Sequence, residues 1–347
     1  MLVANELLCS PLPQPFSRRF AAGIDVSASE VRLVVLSRRT RREASVRVEW
    51  LGAVPLERAA MSGVEIVDSA AVSRAIAALF AEWPRRRATG LLSCSMALPG
   101  SATLIDSIPM NLSPPDAIGG VSMDTLAELE PAVYAHAERV AGIERQALAV
   151  DWFVDESNRG CGPGGASSQG DGAARVTIAA AARRHLEARV EAAAAAGIAL
   201  SAIDGEPPAA LRALCYAAHY EMRESERYAA VWVGGDGVYG WRIADDAVEA
   251  YMRYPAPQHP DLPAALRALT DGEELGCLMT GGDLEVLAEC GMTLADVGDL
   301  LGCTVFPFEC ASFLDANAHH RLGDAYRWAQ APTFAVAFGL ALRGVYE

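Results

Sequence analysis

Apolar residues along this chain occur in short runs that end in turns rich in glycine, serine and aspartate. Three runs are followed by turns of small residues: GIDVSASEVRLVVLS at Gly23–Ser37, VWVGGDGVYGWRI at Val231–Ile243 and CLMTGGDLEVLAE at Cys277–Glu289. Short apolar runs bounded by such turns are typical of buried β-strands. Small residues at the turns let a phosphate or nucleoside approach the backbone. The pattern therefore predicts strand-turn units in two halves of the chain, with a cleft between them.

The first part of the chain predicts a mixed sheet with one helix. The predicted strands are Ala21–Val26, Val31–Leu36, Ala44–Leu51 and Leu91–Leu98. A helix precedes the last strand, because Asp68 suits its N-cap, apolar residues follow with helical spacing, and Pro84 ends it. Strand, strand, strand, helix, strand is the opening of a ribonuclease H-like domain. Other α/β domains begin in the same way, so this order alone indicates only the α/β class.

The pattern between residues 101 and 199 predicts an inserted α/β subdomain. It contains a helix near Asp124–Ala141, expected to be interrupted at Pro131, and a glycine-rich stretch at 155–174 that predicts a flexible loop. The closing stretch AQAPTFAVAFGLALRGVYE predicts a helix from about Pro332 that is apolar on all sides. Such a helix is expected to be buried in the core.

These elements divide the chain into predicted domains of an α/β fold. We expect a flexible N-terminal arm at 1–17, a first ribonuclease H-like domain at 18–100 and 200–226, the inserted subdomain at 101–199, a second, reduced ribonuclease H-like domain at 227–330, and a C-terminal core helix at 331–347.

Composition excludes several classes of function. The net charge of -15 opposes general binding to nucleic acid, and every one of the 29 basic residues is arginine. A phosphate-binding P-loop lysine, a Schiff-base lysine and a kinase lysine are therefore all ruled out. The eight cysteines form no CxxC pair, so a zinc ribbon is not indicated. No apolar run is long enough to span a bilayer and Met1–Arg19 does not read as a signal peptide, so we expect a cytoplasmic protein.

The glycine-containing stretches, taken in order, resemble the PilM family of type IV pilus assembly proteins, which is actin-like and related to the division protein FtsA. The most specific stretches are GIDVSASEVRLVVLS, VTIAAAARRHLEARVEAAAAAGIALSAID at Val176–Asp204, and APTFAVAFGLALRG at Ala331–Gly344. The resemblance implies two ribonuclease H-like domains around a cleft that binds ATP and magnesium. It also implies two kinds of partner, the cytoplasmic tail of a PilN-like inner-membrane protein and the pilus motor complex. Through that tail the protein would lie beside the inner membrane.

The resemblance also assigns residues to the nucleotide cleft. Asp25 stands where the family has an acid that orients magnesium and phosphate. The other positions implied to contact nucleotide are Ser27, Ala28, Ser29, Gly234, Gly235, Asp236, Gly281 and Gly282. No catalytic residue is predicted.

The chain departs from the family pattern at several of these positions. Ser27 stands where glycine is usual, Ala28 where a hydroxyl residue is usual, and Arg32 where lysine is common, the last with little expected consequence. Trp232 stands where the family has an acid, and an indole can neither ligate magnesium nor accept a proton. Asp236 is the nearest replacement acid, or else an ordinary turn residue.

Three interpretations remain open from the sequence. The first is a non-catalytic assembly scaffold with a degenerate cleft, which binds a PilN-like tail by strand addition or in an apolar groove. The second is an ATP-binding protein whose nucleotide state alters its affinity for the partner. The third is an ATPase or small-molecule kinase of the same fold, which would need a metal and an aligned base.

Overall fold

The structure is a computed structural model that describes residues 18–39, 45–83, 92–109, 123–155, 175–222, 226–245, 247–255, 262–270, 272, 274–315 and 317–346. The predicted N-terminal arm and residues 156–174 of the predicted glycine-rich loop lie outside the described residues.

Strands and short helices alternate through the described chain. The strands are β1 (Arg18–Val26), β2 (Glu30–Arg39), β3 (Arg47–Pro55), β4 (Met61–Ser62), β5 (Glu65–Ile66), β6 (Leu92–Leu98), β7 (Thr103–Pro109), β8 (Leu148–Asp155), β9 (Arg175–Ala182), β10 (Ala202–Gly205), β11 (Tyr228–Gly234), β12 (Gly237–Ala244), β13 (Ala247–Pro255), β14 (Cys277–Gly282) and β15 (Thr304–Pro307). The helices are α1 (Ser69–Glu82), α2 (Met123–Ala141), α3 (Arg183–Ala195), α4 (Glu206–Glu221), α5 (Leu262–Thr270), α6 (Glu285–Glu289), α7 (Leu294–Leu301), α8 (Ala318–Leu322) and α9 (Ala335–Tyr346).

Two five-stranded sheets repeat one topology. The first has the order β10-β6-β1-β2-β3 and the second has the order β13-β12-β11-β14-β15. In each sheet, three consecutive strands form an antiparallel meander. Two later strands run parallel to the first strand of that meander. Because parallel strands end at the same edge, each sheet has one edge at which its turns collect. This repeat is the α/β architecture expected of an actin-like fold.

Helices α4 and α9 form a central layer that contacts both sheets. Helix α9 packs on β1, β2 and β6 of the first sheet, and α4 packs on β11 and β14 of the second. The two helices approach closely at Gly339, where a Cβ atom would lie 1.8 Å from the carbonyl oxygen of Ala209. The predicted burial of the C-terminal helix is confirmed, and a 3-10 turn at Pro332–Phe334 leads into it. None of the described helices is long and apolar enough to cross a membrane.

The inserted region forms a small sheet of its own, with the order β7-β9-β8. Helix α2 covers one face of this sheet and buries Val133 and Ala137 against it. The prediction that Pro131 interrupts this helix is wrong, because α2 continues through it from Met123 to Ala141. Proline removes one backbone hydrogen bond from a helix. Helix α2 nevertheless continues past Pro131, and Val133 and Ala137, which follow it, are buried.

Candidate functional site

The turn-bearing edges of the two sheets meet at one place, which we call the cleft. Gly100 follows β6 of the first sheet, and a Cβ atom there would lie 2.3 Å from the hydroxyl oxygen of Tyr239 on β12 of the second sheet. The Tyr239 ring is fully buried at this junction. Ligands of open α/β sheets bind beyond the carboxyl ends of parallel strands, so the cleft is the candidate site.

Asp25 lies at the end of β1, where the sequence predicts it, but its carboxylate already has a partner. Register pairs Asp25 directly with Arg32 across the β1-β2 hairpin, and Arg32 Nη1 donates a hydrogen bond of 2.8 Å to Asp25 Oδ2. Arg32 Nε donates a second bond of 2.7 Å to Glu30 Oε1. The expectation that arginine at position 32 has little consequence is wrong, because its fork geometry bridges both carboxylates.

Burial dominates the electrostatics of this pair. The Asp25 side chain is 4% exposed and the Arg32 side chain 12% exposed. Burial raises the pKa of Asp25, and the opposing effect of the Arg32 charge only partly offsets it. For Arg32, burial lowers the pKa, but the charges of Asp25 and Glu30 outweigh it and the net pKa is raised. The guanidinium therefore stays charged, and Asp25 depends on it for compensation.

The turn after Asp25 is closed by its own hydrogen bonds. The Ser27 backbone N–H donates to the carbonyl oxygen of Glu30 (3.0 Å), and the Ser27 hydroxyl donates to the same oxygen (2.9 Å). The Ser27 Oγ atom also accepts a bond of 3.1 Å from the Glu30 N–H. The N–H and hydroxyl donors of Ser27, an implied nucleotide contact, are thus engaged within the turn. Ala28 and Ser29 are exposed at its tip.

The second predicted loop is a two-residue hairpin turn between Gly234 and Gly237. Trp232 is 4% exposed, and its indole covers Gly234: a Cβ atom on Gly234 would lie 2.3 Å from the ring. Gly235 has no atom within 4 Å of a Cβ position and is open. Trp232, at the position where the resemblance implies an acid, therefore fills space on the core-facing side of this turn.

Asp236 is directed into the cleft by Tyr239. The Tyr239 hydroxyl donates a hydrogen bond of 2.9 Å to Asp236 Oδ2, and Arg253 lies 3.8 Å from the same oxygen. The other carboxylate oxygen, Oδ1, is buried and has no hydrogen-bond partner among the described residues. Burial raises the pKa of Tyr239, as does the Asp236 charge, so the phenol stays protonated and acts as a donor.

The third predicted loop holds the second sheet together. At Gly282, where φ is +92°, a Cβ atom would lie 2.0 Å from the carbonyl oxygen of Val233. A Cβ atom on Gly281 would contact Ala335 of α9 and Leu214 of α4, at 3.1 and 3.2 Å. Packing of the central helices on Gly281 and the close approach of the β11 backbone to Gly282 account for the two glycines.

Glu206, which sequence reasoning missed, is the third carboxylate of the cleft. It is the first residue of α4 and follows β10, whose end lies at the same edge as Asp25. Burial raises its pKa well above the ordinary value, and the negative charges of Asp25 and Asp236 raise it further. The signal was the acid after the short strand AIDG, at a strand-to-helix junction.

A buried arginine lies behind Glu206. Arg189 of α3 is fully buried and donates hydrogen bonds to the carbonyl oxygens of Ala97 (2.8 Å), His185 (3.0 Å) and Val64 (3.3 Å). Burial lowers its pKa to about 10, against a smaller opposing effect of Glu206. This arginine ties α3 to the end of β6, next to the cleft.

The cleft gathers three carboxylates, of which two are bound to neighbouring side chains. No group of three or more histidine, cysteine, aspartate or glutamate residues within the described ranges is arranged to hold a metal ion. A nucleotide phosphate at this place would need a cation between it and Asp25, Glu206 and Asp236, because like charges repel.

A family model of the type IV pilus assembly protein PilM matches residues 23–233. The chain belongs to this family. The solved PilM-PilN type IV pilus biogenesis complex is similar over 94% of this chain and 98% of that chain, with 18% identity and a TM-score of 0.63. A Bacteroides thetaiotaomicron protein described as having an actin-like ATPase fold is 8% identical, with a TM-score of 0.44 over 87% of this chain and 95% of that chain.

The ethanolamine utilization protein EutJ from Carboxydothermus hydrogenoformans is also similar in fold. Its identity is 13% and its TM-score 0.42, over 96% of this chain and 91% of that chain. No curated protein matches the chain. The PilM family match and the similarity to the solved PilM complex identify the predicted two-sheet architecture as actin-like.

Proposed function

We propose that this PilM-family protein is an assembly scaffold of a type IV pilus machine, or of a related secretion or competence machine, that works without hydrolysing ATP. The observation that carries the proposal is the Asp25–Arg32 ion pair. In it, the acid that the family resemblance assigns to magnesium and phosphate is neutralised by the chain's own guanidinium. Ligand binding at Asp25 would have to break a buried ion pair, which is costly.

The second turn supports the same proposal. Trp232 stands in the place of an acid and covers Gly234, and Asp236 is bound by Tyr239. Phosphoryl transfer needs metal ions and a positioned base around the phosphates. We therefore propose that the cleft is degenerate and that it holds the two halves of the protein together.

The proposed partner is the cytoplasmic tail of a PilN-like inner-membrane protein. Family membership supports this choice, as does the likeness to a structure solved as a PilM-PilN complex. Through this tail the protein would take a cytoplasmic position at the inner membrane and contact the pilus motor complex.

The inserted sheet offers a suitable surface for the tail. Strand β8 lies at an edge of that sheet and carries Phe153, which is 61% exposed. An exposed edge strand pairs with an extended peptide through backbone hydrogen bonds, and an exposed aromatic ring adds apolar contact. We propose that the tail adds beside β8 and covers Phe153.

The test is titration of a peptide with the cytoplasmic tail sequence of a PilN-like protein from the same organism. We expect Phe153→Ser to weaken binding about tenfold or more, as loss of a central aromatic contact does. Val67→Ser is the matched control, because Val67 is equally exposed at 61% but lies on another surface. Equal affinity of the Phe153→Ser variant and the wild type would contradict the site, and no binding by the wild type would contradict the function.

A second candidate is a scaffold whose partner affinity depends on bound nucleotide. The specific observation in its favour is Asp236 Oδ1, which is buried without a hydrogen-bond partner among the described residues. A cation bound with nucleotide would satisfy this oxygen. A thermal unfolding scan distinguishes the two proposals, since a ligand at a hundredfold excess over its Kd stabilises the folded state by about 2.7 kcal/mol. We expect no shift with millimolar Mg-ATP, and a clear upward shift would favour the nucleotide-dependent scaffold.

A further inference from the structure

An arginine cluster lies at the end of the first sheet opposite the cleft. Strand β1 begins there, β2 ends there and β3 begins there. The cluster, which we call the arginine edge, consists of Arg18, Arg19, Arg38, Arg39 and Arg47. It is locally positive in a chain whose net charge is -15.

The strand register places like charges directly opposite one another. Arg18 pairs with Arg39, and Arg19 pairs with Arg38, in consecutive positions of the β1-β2 ladder. Like charges directly opposite each other destabilise a sheet. Because side chains alternate along a strand, one such pair lies on each face of the sheet. A fold that keeps both pairs departs from local consistency, and such departures are expected at functional sites.

Only part of this charge is compensated within the described chain. Glu49 lies 2.9 Å from Arg18 and 3.5 Å from Arg47, and Asp315 also pairs with Arg47. Arg19 and Arg39 are exposed and make no ion pair with a described carboxylate. A bound anion would relieve the repulsion at this edge.

Two exposed tyrosines lie beside the arginine edge. The Tyr346 ring, at the end of α9, lies 4.1 Å from the Arg38 guanidinium carbon and is 49% exposed. Tyr220, at the end of α4, is 51% exposed, and its hydroxyl shares a hydrogen bond of 3.0 Å with the Tyr216 hydroxyl. That hydroxyl accepts a hydrogen bond of 3.0 Å from the Val46 N–H next to β3.

We propose that the arginine edge docks on an anionic phospholipid surface. Arginine supplies fork-shaped donors for phosphate, and tyrosine is enriched at the level of lipid headgroups, where its ring is partly buried and its hydroxyl is wet. The overall negative charge does not prevent this contact, because charges more than about 8 Å away are screened at physiological salt. The contact lies on the surface and inserts no helix. It is independent of the proposed tail binding.

The test is flotation of the full chain with vesicles of phosphatidylcholine alone, or with roughly a quarter phosphatidylglycerol. We expect binding only to the anionic vesicles, and loss of it at high salt. The double variant Arg19→Glu/Arg39→Glu should lower the bound-to-free ratio at least about tenfold, since each arginine at a membrane surface contributes appreciably. Both side chains are exposed at strand ends, so the variant should fold, which its circular dichroism spectrum checks.

The matched control is Arg74→Glu/Arg184→Glu, which changes the net charge equally at side chains that are 63% and 73% exposed elsewhere. The control should bind as the wild type does. Equal loss in both double variants, or no vesicle binding by the wild type, would overturn the proposal. Retention on a soluble polyanion column without any vesicle binding would also overturn it, and would assign the edge to an acidic macromolecule instead.

Discussion

The Asp25–Arg32 pair gives the sharpest prediction about the cleft. Replacing Arg32 with methionine keeps much of the apolar stem but removes the charge. Because the side chains of Asp25 and Arg32 are only 4% and 12% exposed, the change leaves a buried carboxylate without compensation. Breaking a buried pair in this way costs about 3–5 kcal/mol, whereas an exposed pair contributes about 0–1 kcal/mol. We expect the free energy of unfolding at neutral pH to fall by about 3 kcal/mol or more.

The pH dependence of this loss has a definite sign. The pKa of Asp25 is already raised by burial, and removal of the Arg32 charge raises it further. A carboxyl group whose pKa is raised on folding binds more protons in the folded state than in the unfolded state. The free energy of unfolding therefore falls as pH rises above the unfolded-state pKa of about 3.9. The difference between variant and wild type should therefore be small near pH 4 and should grow toward neutral pH.

Urea unfolding followed by circular dichroism is the assay, with two controls. Arg74→Met breaks an exposed pair with Glu57, at 3.5 Å and with side chains 63% and 77% exposed, and should have little effect. The double variant Asp25→Asn/Arg32→Met removes both charges and should recover most of the lost stability. A cost below about 1 kcal/mol for Arg32→Met would refute the argument that this ion pair replaces a ligand.

Three further predictions test the cleft and the central helices. Gly339→Ala should lower the free energy of unfolding in urea by about 3 kcal/mol or more, because the new Cβ would overlap the backbone of α4. The control is Gly235→Ala, which lies in open space and should cost less than about 1 kcal/mol. Tyr239→Phe should cost about 1–3 kcal/mol, because Asp236 loses the donor on Oδ2; an unchanged midpoint would argue against that bond. Glu206→Gln should stabilise the protein at neutral pH but not near pH 4. The reason is that the raised pKa of Glu206 reflects an ionised form that is disfavoured in the folded state. A stability change that is the same at both pH values would contradict this prediction.

The sequence identifies the strands, the turns and the family well, because these depend on local patterns. Apolar runs ending in small-residue turns predicted β1, β11 and β14, and Asp68 at the N-cap predicted α1, whose Ala71 N–H donates to it at 2.9 Å. The all-apolar closing stretch predicted the buried α9. The predicted interruption of α2 at Pro131 is wrong, because the sequence does not reveal how the neighbouring residues pack on the inserted sheet.

The contacts of the cleft could not be predicted in the same way. The pairing of Asp25 with Arg32 depends on hairpin register, and the approach of Tyr239 to Gly100 joins residues that are far apart in the chain. The resemblance implies that Gly281 and Gly282 contact nucleotide, but what approaches them here is the protein itself. A glycine in a sequence does not reveal what lies against it. The domain boundaries and the residues implied to bind nucleotide stay predictions.

The central claim is that the protein binds a PilN-like tail as a scaffold whose cleft does not depend on nucleotide. The most direct measurement is calorimetric titration of the tail peptide into the full chain, with and without millimolar Mg-ATP. We predict clear binding with the same Kd in both conditions. Allosteric coupling between two ligands typically changes affinity by about fivefold or more. A change of that size on adding Mg-ATP, or no binding of the peptide in either condition, would contradict the account.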